Sequence, residues 1–355
     1  MFIENCFLNK HYFSSMMRFV ILMLLLPALC MSQDLGKIQG LNARHFQLKL
    51  KRDAIDFLVI NDELQKQKPV LIFCQGSHPL PLIITDKEGS KFLPAMSAFD
   101  YTQIAKDFHL IIISMPKTPI DVDIKRLNKR YLVVEDTARA DSYTSGFQEG
   151  NYFENYVERV KKVVNYIAKQ RWVDRNKITL LGHSQGAKIA IQAALNNKQI
   201  YRVGFLSGNP NGRIDQELRN ERNAAMLGNK ADGASQAVID GYYKIWEEVI
   251  KNPLRKEVTH DFSNRNWVSF EKPMLPTFLK LKIPIYVAYG TRDYKAIMCD
   301  MLPIEFMTAG KKNLTIKAYV GLEHNFREVD QAGKPNDEKM HWQEVIDAFV
   351  SWAKL

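Results

Sequence analysis

The sequence predicts an α/β fold, in which a mostly parallel sheet is flanked by helices, on two observations. Short, nearly continuous apolar runs are typical of parallel strands that are covered on both faces. Apolar residues at three- and four-residue steps between these runs indicate amphipathic helices. Strands that alternate with helices imply right-handed crossovers within one sheet. The predicted strands are Ile55–Ile60, Pro69–Cys74, Leu110–Ser114, Ile178–Leu181 and Pro284–Tyr289.

Two segments show the clearest helical periodicity, and each predicts a helix with one face against the sheet. In the first, the apolar face comprises Phe153, Tyr156, Val157, Val160, Val163, Val164 and Ile167. In the second, near the C-terminus, it comprises Trp342, Val345, Ile346, Phe349 and Val350.

One polar segment interrupts the alternation of strands and helices. It opens with the turn-forming residues Asn209–Gly212 and includes a helical pattern around Gln236–Val249. The segment is too long to be a structureless loop in a compact domain, so we predict a helical insertion. The predicted organisation is an N-terminal extension and signal peptide over 1–32, a first core part over 33–207, the insertion over 208–283 and a second core part over 284–355.

The composition is that of a globular protein with an excess of basic residues. The 355 residues are 46% hydrophobic and 25% charged, and the formal net charge is +10. Binding of nucleic acid needs a concentrated basic footprint, whereas the basic doublets of this chain are widely spaced. We therefore predict no nucleic-acid partner. A basic solvated surface is the simpler interpretation, and a preference for anionic substrates or attachment to an anionic envelope surface is the alternative.

The N-terminus predicts export to the periplasm or the medium. Arg18 precedes the apolar run Phe19–Leu29, and a short exit of small and polar residues follows, as in a signal peptide. This run is shorter than the about 20 residues of a transmembrane helix, so we expect no stable membrane span in the mature chain. A buried N-terminal helix is one alternative. Lipid anchoring through Cys30 is another, which the bulky Pro27 and Leu29 disfavour.

The remaining cysteines and histidines predict neither a disulfide framework nor a metal site. Once the N-terminal segment is removed, Cys74 and Cys299 are the two cysteines left. No His or Cys cluster has the spacing of zinc ligands, and the His-Glu-x-x-His motif is absent from the sequence. We therefore predict no metal and no cofactor.

The motif Gly-x-Ser-x-Gly at 182–186 carries the strongest chemical signal. It follows the apolar run Ile178–Leu181 and precedes the small-residue, helix-competent run Ala187–Ala194. A serine on a strained turn between a strand and a helix is the arrangement of a nucleophile elbow. Ser184 is therefore the candidate nucleophile, and an ordinary glycine-rich turn is the alternative.

A serine hydroxyl needs a positioned base to take its proton, and we predict His324 for this role. It lies in a loop after the strand-like segment Leu314–Tyr319, where a side chain can reach the end of the sheet. His341, at the start of the C-terminal helix, is better explained as an interfacial residue.

The base in turn needs an acid that orients it, and we predict Asp293. This residue follows the strand Pro284–Tyr289 through a short turn, at the same edge of the sheet as the candidate nucleophile. Asp300 also precedes His324 and is the competing candidate.

The residues above resemble those of the α/β-hydrolase superfamily over nearly the whole mature length. The chain order Ser184, Asp293, His324 is the order of that superfamily, and the insertion follows the strand after the elbow, where the superfamily places its cap. The resemblance implies an α/β-hydrolase fold with a helical cap. It also implies hydrolysis of an acyl substrate through an acyl-serine intermediate.

The resemblance further implies an oxyanion hole with two backbone donors. One is the amide of Gln185, directly after the nucleophile. The other comes from the loop Gln75-Gly76-Ser77, where Gln75 replaces the histidine of the superfamily. We favour Ser77 as this donor, with Gly76 second.

The predicted function is hydrolysis of a carboxylic ester or a similar small acyl substrate. The nearest alternative is a small serine exopeptidase, because Trp172–Ile178 is similar to the segment before the elbow in prolyl-oligopeptidase-like hydrolases. A binding protein on the same fold is a further alternative, which the presence of all three triad residues disfavours. The aromatic residues of the insertion either wall an acyl pocket or form the insertion's own core. They are Tyr242, Tyr243, Trp246 and Trp267.

Overall fold

The computed structural model describes residues 32–51, 53–61, 63–139, 141–259 and 261–355. The predicted signal peptide and Cys30 lie outside the described residues, apart from Ser32, which begins the first strand. Within the described part of the chain, no helix has the length and apolar character needed to cross a membrane.

A nine-stranded sheet forms the centre of the molecule. In chain order its strands are β1 Ser32–Lys37, β2 Ala43–Lys49, β3 Ala54–Ile60, β4 Lys68–Cys74, β5 His109–Ile113, β6 Val173–His183, β7 Ile200–Leu206, β8 Ile285–Gly290 and β9 Leu314–Tyr319. Their order across the sheet is β1-β2-β3-β5-β4-β6-β7-β8-β9. The strands from β5 to β9 in this order pair in parallel, whereas β1, β2 and β3 pair antiparallel. The predicted mostly parallel sheet is therefore confirmed.

Helices cover both faces of this sheet. They are α1 Tyr101–Asp107, α2 Ser145–Gly150, α3 Phe153–Ile167, α4 Gln185–Ala194, α5 Arg213–Met226, α6 Asp232–Lys251, α7 Asn264–Phe270, α8 Leu275–Lys280, α9 Leu302–Thr308 and α10 Trp342–Ala353. The apolar sides of α3 and α4 pack on one face of the sheet. Those of α1 and α10 pack on the other face. The two helices predicted from periodicity are α3 and α10, and both are confirmed.

The predicted insertion between β7 and β8 contains four helices, α5 to α8, but its last part belongs to the core. Phe270, Met274 and Phe278 are buried in the same cluster as the sheet residues. The ring of Phe278 packs against that of Phe205 on β7, with the ring centroids 5.0 Å apart. The last part of the segment therefore packs as part of the core, and the boundary at 283 stays a prediction.

Short elements absent from the sequence prediction complete the fold. They are a three-stranded sheet of Ile83–Thr85, Lys91–Phe92 and Asp121–Asp123, a two-stranded sheet of Arg327–Val329 and Pro335–Met340, and 3₁₀ turns at Pro94–Met96, Ile124–Arg126 and Ile297–Met301. Elements of two to six residues are too short for a hydrophobic period to show in the sequence.

Candidate active site

Ser184 lies on a tight turn between β6 and α4, at the carboxyl end of the parallel strands. Its φ of 57° and ψ of −123° are strained for a residue with a side chain. The turn packs so closely that a Cβ on Gly182 would lie 2.1 Å from the carbonyl oxygen of Gly186. A Cβ on Gly186 would lie 2.0 Å from the carbonyl oxygen of Cys74 on β4. Both glycines of the motif are therefore sterically required for this turn.

Asp293 lies in the turn that follows β8 and is 1% exposed. One carboxylate oxygen, Oδ1, accepts a hydrogen bond from the amide of Lys295 at 3.0 Å. The other, Oδ2, lies 2.8 Å from Nδ1 of His324. Burial of a carboxylate is costly unless it is hydrogen-bonded, and these two partners offset the cost while they fix its orientation.

His324 lies in the loop after β9 and connects this carboxylate to the serine. Its Nε2 is 2.9 Å from Oγ of Ser184. Because a carboxylate only accepts, the ring donates its Nδ1 proton to Asp293, which leaves Nε2 to accept from the serine hydroxyl. The structure thus brings the three predicted residues into one hydrogen-bonded chain.

The competing candidates lie elsewhere. Asp300 accepts a hydrogen bond from the hydroxyl of Tyr289. His341 precedes α10, and its Nε2 lies 3.4 Å from Oε1 of Glu328. The alternatives that the sequence left open for the acid and the base are therefore occupied by other contacts.

A cavity of 410 Å³ has Ser184 and His324 in its wall. The predicted oxyanion residues Gly76, Ser77 and Gln185 line it as well. From the insertion it receives Gly212, Arg213, Gln216 and Phe270. The four insertion aromatics named from the sequence, all of them described by the structure, are not among the lining residues. Trp267 is instead buried within the insertion, with ring centroids 6.3 Å from Tyr242 and 5.9 Å from Phe262.

Comparison with known proteins identifies the family. The family described as "Putative esterase" matches residues 65–346. The chain belongs to this esterase family. It is accordingly a hydrolase of the α/β-hydrolase superfamily, as the resemblance implied. No curated protein sequence matches the chain significantly.

Solved structures share the fold of this hydrolase at low sequence identity. Dipeptidyl peptidase 4 of Porphyromonas gingivalis is 10% identical, with a TM-score of 0.52, over 89% of this chain and 36% of that protein. An acylaminoacyl peptidase of Pyrococcus horikoshii is 15% identical, with a TM-score of 0.51, over 89% of this chain and 42% of that protein. The hydrolase thus spans less than half the length of these two peptidases, and the likeness shows the fold alone.

His183 contacts the loop that carries the predicted base, His324. Its Nε2 donates to the backbone carbonyl oxygen of His324 at 3.0 Å. Its ring also packs edge-on against Trp342, with the centroids 4.8 Å apart. Burial lowers the pKa of His183 to about 3, so the ring is neutral at physiological pH. Sequence analysis assigned no role to His183, because its partner is distant in sequence.

The loop after β4 lines the cavity and is tied to the neighbouring strand. The side-chain amide of Gln75 donates to the carbonyl oxygen of Ile113 at 3.0 Å, which ties the loop to β5. Within the described residues, the amides of Gly76 and Ser77 donate to no other protein group. The amide of Gln185 opens α4, where a helix has unpaired donors and a positive dipole. The preference for Ser77 over Gly76 stays a prediction.

A second cavity of 300 Å³ adjoins the first and shares six lining residues with it: Gly76, Ser77, His78, Arg130, His183 and Asn325. Its wall is largely apolar. The apolar lining residues are Phe73, Leu80, Ala95, Ala98, Phe99, Leu132 and Trp342. The two cavities therefore give this hydrolase a polar space and an apolar space that meet at the loop after β4.

The cysteines of the described chain lie outside the hydrogen-bonded chain at Ser184. Cys74 and Cys299 are free and buried, and burial raises the pKa of the Cys74 thiol to about 12. A thiol with such a pKa stays protonated and is a poor nucleophile. Within the described residues, no group of three His, Cys, Asp or Glu side chains is arranged to hold a metal.

Proposed function

We propose that this hydrolase cleaves carboxylic esters through an acyl-serine intermediate, with Ser184 as nucleophile, His324 as base and Asp293 as acid. The observation that carries the proposal is the hydrogen-bonded chain from Ser184 Oγ through the imidazole to a buried carboxylate, at distances of 2.9 and 2.8 Å. This arrangement joins a nucleophile on a strained elbow to a base and to a group that orients the base, as acyl transfer requires.

In the acylation step, Oγ of Ser184 attacks the ester carbonyl carbon while its proton passes to Nε2 of His324. The carbonyl oxygen becomes an oxyanion, which the amides of Gln185 and Ser77 or Gly76 would stabilise. Collapse of this intermediate breaks the bond to the alkoxy oxygen, and His324 returns the proton to the departing alcohol.

In the deacylation step, water replaces the alcohol. His324 takes a proton from the water as it attacks the acyl carbon, and then gives the proton to Oγ of Ser184 as the acid leaves. Asp293 stabilises the imidazolium that forms in each step and keeps the ring in the required tautomer.

An exopeptidase that binds the free amino terminus of its substrate is a less well supported alternative. A protonated α-amino group needs a carboxylate or carbonyl partner, whereas Arg130, Arg213 and Lys295 line the cavity as cations. Lys188 lines it as well, and burial lowers the pKa of this side chain to about 7. Among the described lining residues there is no Asp or Glu. Repulsion between like charges disfavours such a substrate.

Active-site labelling and substitution test the proposal. A fluorophosphonate should label the protein at Ser184, as located by peptide mass spectrometry, and Ser184→Ala should abolish labelling. The same substitution should lower ester turnover by on the order of 10⁶. An unchanged melting temperature would show that the variant is folded. Retention of a tenth of the wild-type turnover would contradict the assignment.

We also propose that the chain is exported, which the charged start at Arg18 and the apolar run Phe19–Leu29 support. Mass spectrometry of protein from its native cell should find a mature start near Met31 or Gln33. Recovery of a chain that begins at Met1 from the cytoplasm would contradict export. A diacylated Cys30 would instead support the lipid-anchored alternative.

A further inference from the structure

The cavity at Ser184 has an unusual balance of charge. Its lining includes four basic side chains, Arg130, Lys188, Arg213 and Lys295, and no acidic one among the described residues. None of the four forms a salt bridge with a described carboxylate. Basic groups that border a cavity without an anionic partner are candidates for binding an anion.

Arg213 is the central member of this group. Its guanidinium donates to the side-chain oxygens of Asn266 and, at 3.1 Å, Gln185. It also lies over the rings of Phe262 and Phe270, at 4.4 and 4.8 Å from their centroids. All four partners are neutral. Burial lowers the pKa of Arg213 to about 10, which still leaves it cationic at neutral pH.

Lys295 lies two residues after the predicted acid and lines the same cavity. Its ammonium is 5.5 Å from the ring centroid of Tyr294, which is a weak contact for a cation. Lys188 differs, because its ammonium donates to the carbonyl oxygens of Asn211 and Phe270 at 2.6 and 2.9 Å. Its role is therefore the attachment of α4 to the insertion, and it is not needed for the binding of an anion.

Arg130 is exposed and is held at the cavity by a chain of neutral groups. Its Nη2 donates to Nε2 of His78 at 2.8 Å, and Nδ1 of that ring donates to the hydroxyl of Tyr143 at 2.9 Å. Burial, followed by the charge of Arg130, lowers the pKa of His78 to about 4. The ring is therefore neutral at physiological pH and leaves the charge of Arg130 uncompensated.

Three carboxylates near these cations have other hydrogen-bond partners or interact with them only at longer range. Asp215 pairs with Arg219 at 3.0 Å. Glu271 accepts the amide of Ile214 at 2.8 Å, and burial raises its pKa. Burial also raises the pKa of Glu217, which lies close enough to interact with Arg213 and Lys295 without forming an ion pair. None of these three carboxylates forms a salt bridge with a basic side chain that lines the cavity.

We infer that the substrate of this hydrolase carries a carboxylate, and that Arg213 and Lys295, with Arg130 at the exposed side, bind it beside Ser184. This inference rests on the proposed function, since it names the class of ester on which the same site acts. A charge-assisted hydrogen bond to the carboxylate would recover the solvation that the partly buried guanidinium loses.

Matched pairs of esters test the inference, and the members of each pair differ at the one group that carries the charge. Mono-4-nitrophenyl adipate and 4-nitrophenyl hexanoate place the carboxylate, or a methyl group, on the acyl half. The esters 3-acetoxybenzoate and 3-acetoxybenzamide place the carboxylate, or a neutral amide, on the leaving half. The wild type should show a kcat/KM for the anionic member roughly tenfold or more above that for the neutral member in at least one pair. Sodium chloride at high concentration should reduce this preference.

Substitutions identify the groups responsible. Arg213→Gln and Lys295→Gln should each lower the anionic-to-neutral ratio of kcat/KM by roughly tenfold. The matched control is Lys169→Gln, which changes an exposed lysine beyond the end of α3. This lysine lies shortly before β6 begins, whereas Ser184 follows the other end of that strand. It should leave the ratio as in the wild type. If Arg213→Gln fails to fold, Lys295→Gln and the salt dependence decide.

A binding measurement separates this inference from the proposed function. In Ser184→Ala, calorimetry should detect benzoate more tightly bound than benzamide, with Arg213→Gln reducing the difference. If Ser184→Ala binds benzoate in this way but the wild type neither hydrolyses esters nor reacts with the fluorophosphonate, the proposed function alone is overturned. Efficient turnover with a charge ratio near one in both pairs, unaffected by either substitution, would overturn the inference alone.

Discussion

The imidazole of His324 is fixed at both its ring and its backbone. Asp293 holds Nδ1, and His183 donates to the backbone oxygen of the same residue at 3.0 Å. Since a carbonyl oxygen only accepts, Nε2 of His183 must carry its proton. His183 is therefore a positioning residue for the loop that carries the base.

Replacing His183 by phenylalanine should weaken turnover without removing the triad. The ring would keep its contact with Trp342 but lose the donor to His324, and one neutral hydrogen bond is worth about 0.5–1.5 kcal/mol. We expect kcat for a 4-nitrophenyl ester to fall by roughly three- to tenfold, with a smaller change in KM. Because the pKa of His183 is already about 3, the acid limb of the pH profile above pH 5 should keep its position.

The control is His183→Gln, which retains an N–H that can reach the carbonyl. It should recover part of the lost kcat. Equal activity of His183→Phe and the wild type, or a displaced acid limb, would show that the residue does not position the base.

At the scale of residues, the sequence predicted those site residues that a local pattern or the chain order indicates. Ser184 followed from its motif, and Asp293 and His324 followed from their places after strands and from the chain order of a known superfamily. His183 and Arg213 could not be assigned, because their roles depend on partners distant in sequence. The local sequence does not show whether a side chain is buried when the residues that cover it are distant along the chain.

At the scale of elements, the elbow depends on the close approach of β4, β6 and α4. The amino end of α4 passes so near the end of β4 that a Cβ on Gly186 would meet the backbone of Cys74 and Gln75. The contact involves backbone atoms, which cannot move aside by a change of rotamer. The same approach places Gln185 beside the loop of the predicted oxyanion donors.

Gly186→Ala should therefore destabilise the fold and disturb the site together. Overpacking typically costs about 1–3 kcal/mol, and a backbone contact should place this substitution at the upper end. Chemical denaturation should show the loss, and fluorophosphonate labelling of the remaining folded protein should be slower.

The matched control is Gly241→Ala, in the middle of α6, where a Cβ meets no atom within 4 Å. Alanine is favoured over glycine within a helix by roughly 0.5–1 kcal/mol, so this variant should be as stable as the wild type or more stable. A Gly186→Ala protein as stable as Gly241→Ala would contradict the steric argument.

The elements themselves were predictable to different degrees. The strands β3, β4, β5 and β8 carry nearly continuous apolar runs, the helices α3 and α10 carry a regular apolar period, and the structure has all six. Strand β6 begins earlier than predicted, at Val173. The prediction missed this part because residues 174–177 are polar and half-exposed or exposed, so that no apolar run marks them. The packing of α8 on the core could not be predicted, since this helix is short and its burial comes from contact with β7 and α4.

At the scale of the whole molecule, two cavities meet at the loop after β4. One is polar and basic, and the other is largely apolar. The apolar cavity is lined by residues of the core, among them Ala98 and Phe99 just before α1 and Trp342 at the start of α10. The four aromatic residues of the insertion named from the sequence do not line it. Selection for the apolar half of an ester is therefore expected in the core.

Ala98→Leu should narrow this apolar cavity and discriminate against long substrates. Ala98 lines the cavity and is only half-buried, so a larger side chain can extend into the open space. A methylene in an apolar pocket is worth about 1–3 kcal/mol, which corresponds to at least roughly tenfold in kcat/KM. Methyl hexanoate and hexyl acetate, each compared with methyl acetate in a titrimetric assay, present the long chain on the acyl half and the alcohol half. The ratio should fall by roughly tenfold for the ester whose chain enters the cavity.

Tyr243→Ala provides the control from the insertion, because this side chain is 51% exposed and does not line the cavity at Ser184. Its chain-length profile should match that of the wild type. Both variants should react with a small fluorophosphonate at the wild-type rate, since neither substitution contacts Ser184, His324 or Asp293. Unchanged ratios in Ala98→Leu for both long esters, with an altered profile in Tyr243→Ala, would transfer substrate selection from the core to the insertion.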